Sequence, residues 1–392
     1  MLCGKAECPL LLRYYALMRV HKKLGKDIHG SSPPGVFVGR YGYPKVAIGP
    51  LVPPLVGNTE YMDIPENWID MGLKDFVEMR STLVRGMKRY SITNAQDPDY
   101  FVVSLQEMAM SEAHVDTETT FERTPRGAVV PGSEVQPYGP KAPIKKFSVD
   151  SIRVNRKLEK FYYDEAKTTE AVLSLYRDGV RVSLIQKALS MGIFGERKKF
   201  VPTRWSITAV DSLLSKVLVE KIKDFPTIDN SMVFVSDKME NTFAVIFLPR
   251  KWSYELVEAW YPGTLWNPYG SKTFMVSSHE FYEGRKDYAE IGGCYYAARL
   301  AVAEKLSKMR RQAEVIVLRE AKPTYLMPVG VWHVRENVRN AMKNEPKIFE
   351  SEKEAIRYAI SQFRIPFERW VAGSTLLKRF YTQRRIEDYE VL

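Results

Sequence analysis

The segment MVFVSDKMENTFAVIFL, residues 232–248, decides the fold class. Residues 232–235 and 242–248 are rich in β-branched and aromatic side chains, and the polar residues 237–241 separate them. Two such runs on either side of a polar turn predict a β-hairpin. The protein is therefore predicted to contain at least one β-sheet. The residues on either side of the hairpin indicate which elements pack on that sheet.

The residues on either side of this hairpin predict helices. Before it, the spacing of apolar residues predicts an amphipathic helix over 206–223. After it, a long helix over 295–309 precedes two predicted strands, 315–318 and 329–334, and Ser351 with Glu354 forms a capping box for a further helix. This order predicts a mixed α/β (α+β) protein of two regions, with helices packed on small sheets.

The N-terminal half contains more turns. Residues 9–24 predict a basic helix with Leu11, Tyr14, Tyr15 and Met18 on one side, and residues 36–38 and 46–48 predict short strands between turns. Residues 124–146 hold five prolines and three glycines, which favours a linker or long surface loop. Two helices follow, one over 169–176 ended by Gly179 and one opened by a capping box from Ser183 to Gln186.

The composition favours a protein that binds a polyanion and excludes a disulfide scaffold. The 392 residues include 58 Lys and Arg against 47 Asp and Glu, so the net charge is 58 − 47 = +11, which favours a polyanionic partner such as DNA. Three cysteines exclude a disulfide scaffold. Apolar runs such as 243–248 fall short of the roughly 20 residues of a membrane span, and no signal peptide opens the chain. We expect a cytoplasmic protein.

A basic and aromatic motif offers a DNA-binding site. Arg197, Lys198 and Lys199 precede the helix start that contains Arg204 and Trp205. Cations and backbone amides would meet phosphate there, and the indole would stack on a base as in single-strand binding sites. The alternative is a solvated basic turn, with the arginine and tryptophan bracing the domain. The helix pair over 169–190 also fits a helix-turn-helix, as any helical hairpin does.

An acidic stretch offers a different function. His279, Glu280 and Glu283, with Asp287 and Glu290, form a partly helical cluster that would hold a divalent metal for phosphodiester cleavage. This motivates an alternative hypothesis, a metal-dependent nuclease or other DNA-processing enzyme. Surface carboxylates interleaved with basic residues explain the same pattern.

The two termini carry short motifs. Gln383, Ile386 and Tyr389 follow the spacing of the peptide by which repair and replication proteins hold the sliding clamp, although Glu390 stands where a second aromatic is usual. The alternative is a frayed final turn. Cys3 and Cys8 would supply two thiolates to zinc, but a structural zinc site needs four ligands.

Longer strings resemble one family. They are SSPPGVFVGR (31–40), FVPTRWSITAVD (200–211), GGCYYAAR (292–299) and GVWHVRE (330–336). They resemble the archaeal Nre family of DNA repair proteins, and the resemblance runs through nearly the whole chain.

The resemblance implies a role in DNA damage repair and binding of the clamp PCNA by the C-terminal motif. It also implies an N-terminal zinc element, of which the first cysteine pair is missing here. It supplies no catalytic residues. On this basis we expect a basic helix with the cysteine pair at 1–30, an N-terminal region at 31–275, a C-terminal region at 276–380 and a clamp-binding tail at 381–392.

Overall fold

The computed structural model describes residues 8–127, 137–150, 152–264 and 266–382. The chain divides into two compact units, Met1–Leu214 (unit 1) and Ser215–Leu392 (unit 2). Each unit contains a six-stranded sheet together with helices, which confirms the predicted α+β class. Within the described ranges, no helix combines the length and apolar character needed to cross a membrane.

The sheet of unit 1 is mainly antiparallel. Its strands are β1 (Asp27–Ser32), β2 (Val36–Val38), β3 (Lys45–Val52), β4 (Val84–Ser91), β5 (Val115–Phe121) and β6 (Lys141–Val149). They lie in the order β1-β5-β6-β4-β3-β2, and only β4 and β6 among these neighbours pair in parallel. Strand β2 is therefore an edge strand, and its outward backbone groups need partners outside the sheet.

The described helices of unit 1 are α1 (Pro9–His21), α2 (Leu73–Thr82), α3 (Tyr100–Ala109), α4 (Arg156–Tyr163), α5 (Thr168–Arg177), α6 (Val182–Ser190) and the first part of α7 (Thr203–Lys223). Short 3-10 turns occur at Glu60–Asp63, Pro65–Asn67 and Ile92–Ala95.

Two glycines allow the central strands of unit 1 to approach closely. A Cβ atom on Gly49 of β3 would overlap the carbonyl oxygen of Gly86 on β4. A Cβ atom on Gly86 would in turn overlap the side chain of Ile144 on β6. Glycine is required at position 49 because backbone atoms occupy the space of any side chain, whereas a side chain at position 86 would force Ile144 to move.

Unit 2 is a sheet with helices on both faces. Its strands are β7 (Ser231–Lys238), β8 (Asn241–Leu248), β9 (Ser253–Trp260), β10 (Phe274–Glu280), β11 (Glu314–Ala321) and β12 (Lys347–Phe349), in the order β10-β9-β11-β8-β7-β12. Its helices are α8 (Gly293–Met309), α9 (Trp332–Ala341), α10 (Glu352–Ser361), α11 (Phe367–Gly373) and α12 (Thr375–Thr382).

The residues of β8 alternate between two cores. Phe243, Val245 and Phe247 pack with α8, α9 and the last turns of α7. Ala244, Ile246 and Leu248 pack with α10, α11 and α12 on the opposite face. Because successive strand residues point to opposite faces, a strand covered on both sides becomes a continuous apolar run. This explains why the deciding segment shows no polar alternation after residue 242.

Several local predictions are confirmed. The hairpin forms with Met239 and Glu240 at its tip, and both adopt positive φ angles, 48° and 60°. Gly179 follows α5 at a φ of 78°, and Ser351 caps α10 by accepting a hydrogen bond from the Glu354 amide at 3.4 Å. The helices predicted over 9–24, 206–223 and 295–309 correspond to α1, α7 and α8.

Other local predictions are wrong. The apolar run 329–334 was predicted as a strand but opens helix α9, because a short buried run does not distinguish the two structures. Ser183 does not cap α6, which begins one residue earlier, and its hydroxyl donates instead to Glu66 at 2.8 Å. Strand β6 occupies part of the predicted linker 124–146. Residues 281–292 are turns and not helix.

The two compact units divide between residues 214 and 215, and the region boundary predicted at 275 stays a prediction. Strand β9 lies before that position and β10 spans it, yet the two strands pair along their full length. Sheet pairing therefore joins residues on both sides of residue 275 within unit 2.

A buried histidine makes the stability of unit 2 depend on pH. Burial, and next the charge of Arg319, hold the pKa of His333 well below its usual 6.5. The unfolded chain binds a proton there below about pH 6.5 whereas the folded chain does not, so stability falls as pH drops. We expect a loss of about 1.4 kcal/mol per pH unit below that value, which His333→Gln removes. Urea unfolding at pH 5, 6 and 7 measures it, and equal slopes in both proteins would contradict it.

Candidate nucleic-acid interface

The turn between β2 and β3, residues 39–44, lies against the start of α7. The amide of Val38 donates to the hydroxyl of Thr203 at 2.9 Å, which joins the end of the edge strand to the first residue of the helix. The amide of Ile92 donates to the carbonyl of Pro44 at 2.9 Å, which holds the other side of the turn. Gly42 adopts a φ of 83°, a left-handed conformation that glycine favours.

Two exposed aromatic side chains, Tyr43 and Trp205, are in contact at this position, and exposed Tyr41 lies two residues earlier on the same turn; we refer to Tyr41, Tyr43 and Trp205 as the aromatic surface. Their exposed fractions are 73%, 50% and 45%. The rings of Tyr43 and Trp205 are in contact, with centroids 5.3 Å apart and planes at 54°. Large rings in water offer apolar area to a ligand, and aromatic platforms of this kind stack on nucleic-acid bases.

Cationic side chains surround the aromatic surface. The guanidinium of Arg40 lies 5.3 Å from the centroid of the Tyr41 ring. Arg89 is exposed and donates to the carbonyl of Lys45 at 3.3 Å, and the side chains of Lys45 and Arg204 are exposed as well. Positive charge beside exposed rings suits a chain of phosphates with accessible bases.

The predicted basic loop is held close to this turn. The amide of Phe200 donates to the carbonyl of Ile92, the same residue whose amide bonds Pro44. Arg197 and Lys199 are exposed on this loop. The amides of Trp205 and Ser206 donate to the carbonyl of Pro202, so these two helix-start amides already have a partner. The cations, more than the helix start, are therefore the groups that would meet phosphate.

Lys198 differs from its neighbours. Its amine donates to the backbone carbonyl of Tyr162 and lies 4.1 Å from the centroid of that ring. Burial lowers the pKa of the Lys198 amine. Its backbone amide also donates to the side chain of Gln96 at 2.7 Å. Lys198 thus anchors the loop, while Arg197, Lys199, Arg204 and Trp205 face solvent.

The helix pair over 169–190 offers no recognition helix. Helix α6 is the second of the pair, and most of its side chains are buried, including Leu184, Ile185 and Ala188. A recognition helix needs an exposed face to enter the major groove.

The acidic stretch places Glu280 in a buried network. Its carboxylate accepts hydrogen bonds from Trp252 at 2.9 Å and from Tyr295 at 2.9 Å, and it pairs with Arg299 at 2.8 Å. Arg299 also donates to Ser215 at 3.0 Å. Burial, and next the Glu280 carboxylate, raise the pKa of Tyr295. These contacts indicate that Glu280 stabilises the fold of unit 2.

The other members of the acidic stretch lie apart from this network. Glu283 is exposed, and the backbone carbonyl of His279 accepts a hydrogen bond from Arg285 at 2.6 Å. Among the described residues, no three His, Cys, Asp or Glu side chains are grouped to hold a metal. The catalytic assignment of His279, Glu280 and Glu283 stays a prediction.

The terminal motifs are only partly described. Cys8 is the N-cap residue of α1 and is half-buried. Cys3, like Gln383, Ile386 and Tyr389, lies outside the described residues. Zinc binding by Cys3 and Cys8 therefore stays a prediction.

Sequence reasoning missed the turn. Arg40, Tyr41, Tyr43 and Lys45 surround Gly42 in the string RYGYPK, which is predicted from the sequence only as a turn between the strands at 36–38 and 46–48. The available signal was the alternation of aromatic and basic residues inside a turn, where side chains are usually exposed. The described residues define an α+β protein with an exposed cationic and aromatic surface, a class suited to polyanionic ligands.

Comparison with known proteins identifies the family. The family model described as "Archaeal Nre, N-terminal" matches residues 2–267, and "Archaeal Nre, C-terminal" matches residues 280–389. The chain belongs to the archaeal Nre family. No solved structure matches the chain.

Relatives are similar over most of their length. The DNA repair protein NreB of Archaeoglobus fulgidus is 42% identical over 381 residues, covering 97% of this chain and 95% of the relative. The DNA repair protein NreA of the same organism is 36% identical, with 97% and 96% covered. The DNA repair protein NreA of Haloferax volcanii is 33% identical, with 85% and 82% covered.

Glu280 is buried in an ion pair and Glu283 is exposed, so their substitutions should affect stability differently. Glu280→Ala leaves Arg299 buried without its ion pair, which should lower the free energy of unfolding by about 3–5 kcal/mol. Glu283→Ala removes an exposed carboxylate and should change it by less than about 0.5 kcal/mol. Chemical denaturation of both variants measures the difference. Equal stability of the two would show that the Glu280 network does not support the fold.

Proposed function

We propose that this chain is a DNA repair factor that contacts DNA through the surface around the β2–β3 turn and is tethered to the sliding clamp by residues 383–392. The relatives that match it along its length are named DNA repair proteins. The observation that carries the DNA contact is the contact of Trp205 with Tyr43 of the exposed turn, next to the exposed cation of Arg204. The net charge of +11 supports a polyanionic ligand.

The composition of the surface supports phosphate binding. Arg197, Lys199 and Arg204 are exposed around the start of α7, and Lys45 and Arg89 are exposed beside the turn. Each cation that neutralises a phosphate releases a counterion, so affinity from such contacts falls steeply with salt. A surface built this way binds DNA without needing an exposed recognition helix.

The spacing of the motif residues supports the tether. Gln383, Ile386 and Tyr389 stand three positions apart in the sequence. This is the anchor spacing of a helical peptide that binds in a groove. Glu390 in place of a second aromatic should reduce affinity for the clamp without removing the Ile386 and Tyr389 anchors.

The alternative hypothesis of a metal-dependent nuclease has less support. It rests on His279, Glu280 and Glu283, and Glu280 pairs with Arg299 inside the protein. In the part of the chain that the structure describes, no three His, Cys, Asp or Glu side chains are grouped to hold a metal.

Removing the basic residues tests the DNA contact. Duplex affinity of the combined variant Arg197→Gln, Lys199→Gln and Arg204→Gln should fall. Its plot of log affinity against log salt should lose about 2–3 units of slope, because each phosphate contact contributes about 0.9. Fluorescence anisotropy between 50 and 300 mM salt measures both quantities.

A matched variant controls for net charge. Arg177→Gln, Lys343→Gln and Lys353→Gln remove the same charge from exposed positions elsewhere. This variant should keep most of the wild-type slope. Equal effects of the two variants would show that net charge, and not this surface, binds DNA.

Substituting the tail tests the tether. Ile386→Ala with Tyr389→Ala, or deletion of 383–392, should abolish binding to the sliding clamp because both apolar anchors are lost. Isothermal titration calorimetry with the purified clamp measures the affinity, and an unchanged melting temperature shows that the fold is intact. Lys343→Ala serves as the control. Undiminished clamp affinity after the deletion would refute the tether.

A further inference from the structure

We propose that the aromatic surface binds the exposed bases of an unpaired DNA strand by stacking, so that unit 1 prefers unpaired DNA to duplex. The inference rests on the proposed function, because it assumes that this surface meets DNA. The ligand would be unpaired DNA, and the aromatic side chains would select it. The inference is carried by the contact of the half-exposed rings of Tyr43 and Trp205, with exposed Tyr41 on the same turn and the guanidinium of Arg40 against the Tyr41 ring.

The ring geometry leaves faces open to a base. Tyr43 and Trp205 contact each other at a centroid distance of 5.3 Å, so no base fits between them. Their planes cross at 54°, and each side chain is about half exposed. A base would therefore stack on an outward ring face. Tyr41 adds a third ring, with Arg40 held against it.

Stacking selects unpaired strands for a simple reason. In a duplex, the faces of each base are covered by its neighbours, so a side chain on a turn cannot reach them. Every base of an unpaired strand has an accessible π face, which makes stacking tolerant of sequence. A surface that served duplex phosphates alone would need the cations but would gain nothing from three rings in water.

The charges around the rings favour the same ligand. Arg40, Lys45, Arg89 and Arg204 lie on the turn, on the paired strand β4 or at the start of α7. These cations would contact the phosphates of an unpaired DNA strand whose bases stack on the aromatic surface.

The surface is held in place before any ligand binds. The amide of Gly39 donates to the carbonyl of Ala47 at 2.7 Å, and Thr203 connects Val38 to the hydroxyl of Ser190. A turn fixed at both ends loses little conformational entropy when a strand stacks on it. The backbone that carries Tyr41 and Tyr43 is therefore held by hydrogen bonds at both ends of the turn.

An oligonucleotide series tests the inference. The full chain is titrated by fluorescence anisotropy with three labelled probes of equal length: an unpaired mixed-sequence strand, the same backbone made of abasic units, and a duplex. The abasic strand keeps the phosphates and removes the bases. The wild-type protein should bind the normal strand at least about tenfold more tightly than the abasic strand, since one stacked base contributes roughly five- to 150-fold.

Ring substitutions should erase that preference. Trp205→Ala and Tyr43→Ala should each weaken binding of the unpaired strand by about tenfold and leave the abasic and duplex affinities unchanged. Trp205→Phe should retain much of the preference because it keeps a ring. Tyr269→Ala controls for the loss of an exposed aromatic, since Tyr269 in unit 2 is 99% exposed. An unchanged melting temperature shows that each variant is folded.

The outcomes separate the two proposals. If the wild-type protein binds all probes with a salt dependence but shows no preference for bases, the stacking inference fails while the DNA contact stands. If Trp205→Ala and Tyr43→Ala keep the wild-type preference, the inference also fails. If the full chain binds none of the probes at low salt, the DNA contact itself fails, and an exposed surface rich in Tyr, Trp and Arg then fits docking of a protein partner.

Discussion

The hydrogen bond from the amide of Val38 to the hydroxyl of Thr203 organises the candidate interface. Val38 is buried on an edge strand, and a buried amide without a partner is costly. Thr203, the first residue of α7, supplies the acceptor and so brings the helix start to the β2–β3 turn. The contact between Tyr43 and Trp205 follows from this placement, and the exposed cations of both segments come with it.

Unit 2 satisfies its buried polar groups in a comparable way. Glu255 on β9 accepts hydrogen bonds from the amides of Thr375 and Leu376 at 2.8 Å, so a carboxylate of the sheet caps the last described helix. Glu258 and Arg319 pair at 2.6 Å on neighbouring strands. Glu255, Glu258 and Arg319 are charged residues that stabilise the fold. Each buried charge needs an oppositely charged partner or a set of hydrogen-bond donors. Glu280 belongs to the same class.

The sequence predictions were correct where a structure depends on residues close together in the chain, and wrong where the local pattern fits two structures or the outcome depends on residues far apart. The hairpin around residues 232–248, the helices α1, α7 and α8, and the cap at Ser351 depend on residues a few positions apart, and they were predictable. The strand predicted at 329–334 was wrong because a short apolar run fits a strand and a buried helix equally, and the cap at Ser183 was wrong because its outcome depends on a distant partner. Ser183, for example, donates to Glu66, which lies 117 residues away in the chain.

The sequence alone determined the α+β class, the hairpin at 232–248 and the longest helices, the excess of positive charge and the membership in the Nre family. Each of these is a local or compositional property, which residue spacing and residue counts carry directly. Only the tertiary structure decided that the turn at Tyr43 meets Trp205 and that Lys198 is an anchor while Lys199 is exposed. It also placed Glu280 inside an ion pair. The physical reason is that such contacts join residues far apart in the chain, and the requirement to satisfy every buried polar group selects them only when the chain has folded.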